Sequence, residues 1–118
     1  MLSPTAQLIE PTIRELVDQR SFRELRETLS RLEHADVAEI LESMELADAA
    51  VAFRVLPRDD ASEVFANFSA DQQEKLIEAL GAERAQRVIE SLDTDDRARL
   101  LDELPVEVAD RIIRSLSP

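Results

Sequence analysis

The sequence predicts an all-α fold, a right-handed superhelical solenoid of short antiparallel helices built on a twelve-residue repeat. Three observations predict it. Leucine or a close substitute returns at every twelfth position, as Leu32, Met44, Leu56, Phe68, Leu80, Leu92, Leu104 and Leu116, without insertion. Counting that marker as zero, positions eight and nine of each unit hold an apolar pair: Ile40-Leu41, Ala52-Phe53, Val64-Phe65, Leu76-Ile77, Val88-Ile89, Leu100-Leu101 and Ile112-Ile113. Helix start and stop signals gather at the markers. A fixed period of this kind is the signature of a stacked repeat.

Positions five, eight, nine and twelve of a unit stand in the i, i+3, i+4, i+7 relation of one helix face. Position five is small or apolar (Val37, Ala49, Ala61, Ala85, Ala109), with Gln73 and Arg97 as exceptions. One unbroken helix cannot sustain the pattern, because twelve residues rotate the stripe by about 120° per unit. Each unit is therefore its own helix, giving a run of seven helices of about nine residues. Helices so short do not hold in water alone and stack on their neighbours. A four-helix bundle would require longer helices than these breaks permit.

The elements follow in order. Ile9, Ile13, Leu16 and Val17 form one apolar face, interrupted by Pro11, so a short helix or frayed turn is expected before that proline. Ser21 and Glu24 have capping-box spacing and open a helix whose apolar face is Phe22, Leu25, Leu29 and Leu32. Pro57 and Pro105 follow their markers and suit a first-turn position. Ser69 stands three residues before Gln72, a second capping-box spacing. Gly81, the only glycine, follows Leu80 where a helix end favours it. Asp93 and Thr94 cap the next helix, with Asp95 and Asp96 complementing its dipole. Residues 1–118 thus read as one domain, with a less regular N-terminal helix over 1–20 and helical repeats over 21–118.

Composition narrows the function. With 26 acidic against 14 basic residues, the net charge is −12. That argues against a nucleic-acid surface and against unaided docking on anionic lipid, leaving cations, basic protein surfaces or no partner at all. With no cysteine, secretory signal or long apolar run, the chain is expected to be soluble in a reducing compartment. Catalysis finds no support: the chain lacks a cysteine nucleophile, a phosphate loop and a nucleophile elbow. The single histidine, His34, lies at a helix junction, where a solvated or capping role is expected.

Acids recur just after the markers, as Asp59-Asp60, Asp71, Glu83, Asp93, Asp95-Asp96 and Glu107. Capping and dipole complementation account for most of them. A calcium loop from Asp93 is excluded, since its sixth and twelfth positions are Ala98 and Leu104 rather than glycine and glutamate. Stacking is expected to bring equivalent first turns to one edge as a negative ridge, attracting divalent cations weakly. Magnesium suits such a ridge, because it keeps most of its waters and uses one or two carboxylates.

Three further runs carry a resemblance. Arg26-Glu27-Thr28-Leu29 with His34-Ala35-Asp36-Val37-Ala38-Glu39-Ile40-Leu41, then Leu56-Pro57 with Ala61-Ser62-Glu63-Val64-Phe65, then Leu92-Asp93-Thr94-Asp95-Asp96, stand in order and in register. From Ile13 to Leu116 the chain resembles the cytoplasmic N-terminal domain of MgtE-type magnesium transporters. The resemblance implies a non-enzymatic regulatory domain on the cytoplasmic side of the membrane. It implies CBS domains and a transmembrane pore in the same polypeptide, with interfacial magnesium holding the closed state. It also implies a homodimeric full-length protein, the isolated domain being expected as a monomer.

Matched by motif, Glu63 and Asp95 occupy positions from which that family supplies acidic groups to magnesium, and Asp96 is an adjacent candidate. Arg99 departs from the pattern, standing where the family can carry another acid. The register puts Glu63 at position seven of its unit and Asp95 at position three, outside the buried stripe. A different reading is an interaction solenoid without ion sensing, resembling short-helix repeats of flagellar motor proteins.

Overall fold

Eight helices in succession begin twelve residues apart, at 22, 34, 46, 58, 70, 82, 94 and 106. The structure, a computed structural model, describes residues 2–116, and their side chains except at 82, 108, 111, 112, 115 and 116. The elements are α1 (Pro4–Asp18), α2 (Phe22–Ser30), α3 (His34–Glu42), α4 (Leu46–Arg54), α5 (Arg58–Asn67), α6 (Ala70–Leu80), α7 (Ala82–Ser91), α8 (Thr94–Glu103) and α9 (Val106–Leu116). All elements among the described residues are helical.

The spacing has a local cause. The residue after each marker acts as helix cap: the carbonyls of Glu33, Glu45, Pro57, Ser69, Gly81, Asp93 and Pro105 each accept the amide four residues on, at 2.8–3.0 Å. The marker itself occupies the turn, or in Leu80 the last helical position, and folds inward; Met44, Leu56, Phe68, Leu80, Leu92 and Leu104 are all buried. Burial of the marker and capping by its successor together close one helix and start the next. The marker Leu116 and the paired Ile112 lie outside the described side chains.

The paired positions fill the centre. Ile40, Leu41, Val64, Phe65 and Leu76 are fully enclosed. Phe53, Phe65 and Phe68 meet with ring centroids 6.1–6.2 Å apart, a spacing suited to edge-to-face packing. At position five, Ala49 and Ala85 are buried, and their small side chains let neighbouring helices approach. Gln73 is buried there too, its Nε2 donating to the Phe65 carbonyl at 3.0 Å. Toward the C-terminal end Ile113 is exposed.

Four local expectations change. Pro11 does not break the first helix, which runs unbroken through it. Both Pro11 and Gln7 are exposed, so the Gln7 carbonyl that loses its partner meets water rather than core. Instead, Ser3 caps α1 through the Ala6 amide at 3.2 Å, and Pro4 takes the first helical position. Ser21 makes no side-chain cap bond, because it closes a Schellman turn: its amide donates to the Leu16 carbonyl at 3.0 Å, behind Arg20 in the left-handed region at φ 58°. Phe22 is 41% exposed rather than part of the core face. Pro57 and Pro105 sit one position before their helices, not inside the first turn.

Packing alternates along the chain. The helix rows α1–α3–α5–α7–α9 and α4–α6 place each helix against its next-but-one neighbour, while α1–α2, α3–α4 and α6–α7 pack in sequence. The assembly measures 40 × 26 × 22 Å, longest in one direction. Polar contacts set which ends meet. Ser3 Oγ donates to Asp36 at 2.9 Å and its amide to Glu39 at 2.8 Å, joining the starts of α1 and α3. The His34–Asp60 pair at 2.9 Å joins the starts of α3 and α5, whereas Glu42 at the far end of α3 holds Ser69 at the start of α6.

Candidate functional site

The first-turn acids do not share one edge. α3 is nine residues long, so its two ends lie about 13 Å apart. Asp60 in α5 meets the start of α3 and Ser69 in α6 meets its end. A chain that turns back after each short helix sends alternate first turns to opposite edges, and the expected single ridge is divided.

Several of these acids are already engaged. Asp60 bonds His34, so the histidine, its side chain still 40% exposed to solvent, is also a cross-helix partner. Asp71 pairs with Lys75 at 2.9 Å, and the bond and charge of Asp71 hold the lysine above its ordinary pKa. Asp93 accepts the Asp96 amide at 2.9 Å as the cap of α8. Each is a structural use of an acid at a helix start.

The three candidate ligands differ from one another. Glu63, one turn into α5, and Asp95, in the first turn of α8, are exposed, and their carboxylates have no hydrogen bond or ion pair among the described residues. Asp96 is half-buried and its carboxylate is paired with Arg99. Arg99 therefore neutralises a neighbouring acid. Asp96 borders a cleft of about 140 Å³ with Glu103 and Gln73, whose buried Oε1 lacks a partner. Arg99 lines the same cleft and supplies the positive charge locally. The sequence signal for this cleft was the polar exception at position five, Gln73.

No group of three His, Cys, Asp or Glu side chains that could hold a metal occurs among the described residues. Glu63 and Asp95 lie on different helices and offer single carboxylates. Such groups fit a hydrated divalent ion that draws its remaining ligands from water and a second surface; they do not fit a closed site within this chain. Nor, among the described residues, is any helix long and apolar enough to cross a membrane.

Short helices, stacked through a buried twelve-residue stripe and bearing free acids outside it, define an all-helical domain with exposed anionic groups. Residues 32–118 match the sequence model described as the MgtE intracellular N domain, and the chain belongs to that family. Membership makes it a non-catalytic regulatory N-terminal domain of the MgtE magnesium transporters. No curated protein matches the chain.

Proposed function

We propose that this domain senses magnesium for a transporter or channel and gates the pore through magnesium-dependent association with CBS domains of the same polypeptide. The observation that carries the reading is the pair of exposed, unpartnered carboxylates, Glu63 and Asp95, on a family member of net charge −12. Two acidic surfaces repel each other across a gap, and a divalent ion between them supplies the attraction, so ion concentration sets domain position. Glu63 and Asp95 each contribute one oxygen group, Asp96 contributing once released from Arg99. A sensor working near millimolar concentration binds with about 4 kcal/mol per site, so several weak sites act together. The helix rows continue as a right-handed superhelical solenoid over one domain. The isolated domain is a monomer, and the full-length protein is a homodimer with this domain on the cytoplasmic side.

The test uses the domain joined to its natural CBS partner. Magnesium should increase protease protection and compactness by small-angle scattering, and Glu63→Gln with Asp95→Asn should raise the magnesium midpoint by about tenfold or more, the loss of roughly 1.4 kcal/mol. An unchanged midpoint and amplitude in the double variant would remove these residues from the sensing site.

A further inference from the structure

Half of the cations of this acidic chain gather on one face. Arg23, Arg26 and Arg31, from α2 and the turn after it, line an open groove of about 750 Å³. Arg58, Arg84 and Arg87, from α5 and α7, line a second of about 250 Å³. The two share Arg54 and Leu56 at the end of α4, so they form one continuous furrow. Seven of the chain's 14 cationic residues border it, against one acid, Glu27.

These arginines are exposed and none has an ion pair among the described residues. Arg58 alone is anchored, donating from Nε to Ser91 Oγ at 3.2 Å. With 26 acids available in the chain, their charge is left uncompensated. Like charges placed together repel unless an external anion joins them. Between them the floor is apolar: Phe53 and Leu56 are buried beneath, and Phe22 stands 41% exposed at one wall.

We propose that this furrow docks an acidic amphipathic helix of a partner polypeptide, its apolar stripe against Phe22, Leu56 and Val88 and its carboxylates on the flanking arginines. Arg23 with Arg26 on α2, and Arg84 with Arg87 on α7, are spaced i, i+3, presenting about one cation per helical turn, the rise at which a bound helix repeats its acids. Arginine forks match carboxylates in two-point contact. A free phosphate would use the guanidinium groups and leave the apolar floor open. An anionic membrane would meet the net charge of −12 as well as the furrow. The surface is independent of Glu63 and Asp95 and stands whether or not the domain senses magnesium.

The experiment is fluorescence anisotropy with the whole chain and a labelled synthetic peptide of about 18 residues, five helical turns, with leucines along one face and glutamates beside them. Saturable binding with a gain of peptide helicity by circular dichroism is expected. Arg54→Glu with Arg87→Glu should weaken it about tenfold or more, while Arg14→Glu with Lys75→Glu, off the furrow, should change it by less than about twofold. Equal thermal midpoints of the two double variants keep the comparison one of binding. Equal affinity for a scrambled peptide of the same composition would overturn the proposal. So would undiminished binding in the furrow variant, full competition by inorganic phosphate, or preferential binding of phosphatidylglycerol vesicles over the peptide.

Discussion

Glu42 and Ser69, 27 residues apart, are joined through one oxygen: Glu42 Oε1 accepts the Ser69 backbone N–H at 2.9 Å and its hydroxyl at 2.8 Å. The Ser69 hydroxyl in turn accepts the Gln72 amide at 3.2 Å. Half of the capping box is thus local, and the other half comes from the end of α3. A cap completed from another helix ties secondary structure to packing.

Removing either partner should show this. Ser69→Ala should cost about 1 kcal/mol, the usual value of a lost cap, and Glu42→Ala about 1 kcal/mol for two exposed charge-assisted bonds. The double variant should lose less than the sum, by about 0.5 kcal/mol or more. Urea denaturation of the four proteins measures the coupling; strict additivity would show that the contact contributes nothing.

Gly81 joins α6 directly to α7 at φ 86° and ψ 161°, in a region that is essentially glycine-only. A Cβ built there meets nothing within 4 Å, so any penalty is conformational rather than steric. Gly81→Ala should destabilise by about 1–3 kcal/mol. The lowered urea midpoint should come with an unchanged far-ultraviolet spectrum, whereas an unchanged midpoint would mean that the turn relaxes freely.

Arg20 presents the opposite case. It holds φ 58° at the end of α1, is exposed, and its side chain has no hydrogen bond or ion pair among the described residues. Arg20→Gly removes the left-handed penalty and adds unfolded-chain entropy, for a net gain of about 0.5–1 kcal/mol. A raised urea midpoint with an unchanged slope is the expected result; a loss of stability would assign the arginine a role in packing.

Much of the fold was legible before any coordinate. Most twelve-residue markers fall in the turns, the residues after them cap, and the paired positions through Leu76-Ile77 bury, because each depends on neighbours within one helical turn. The errors lay where a local signal had competition. Pro11 reads as a breaker, but its helix exposes that side to water. Ser21 reads as a cap, but the turn closing α1 uses its amide and sets its backbone away from the extended cap geometry. Of the candidate site, the register placed Glu63 and Asp95 outside the core, and both are exposed. Asp96 already stood below them as an adjacent candidate, and the physical reason, Arg99 folding back onto it, came only with the structure.

By itself, then, the sequence determined where each repeat helix begins to within a residue, which stripe it buries and how strongly acidic its surface is, because period, capping and charge are short-range or additive properties. Tertiary structure alone decided which acids are spent and which stay free, which end of α3 meets which later helix, and that arginines from α2, α4, α5 and α7 border one furrow. Those outcomes depend on side chains tens of residues apart meeting in space as the chain reverses, and a linear repeat carries no record of that.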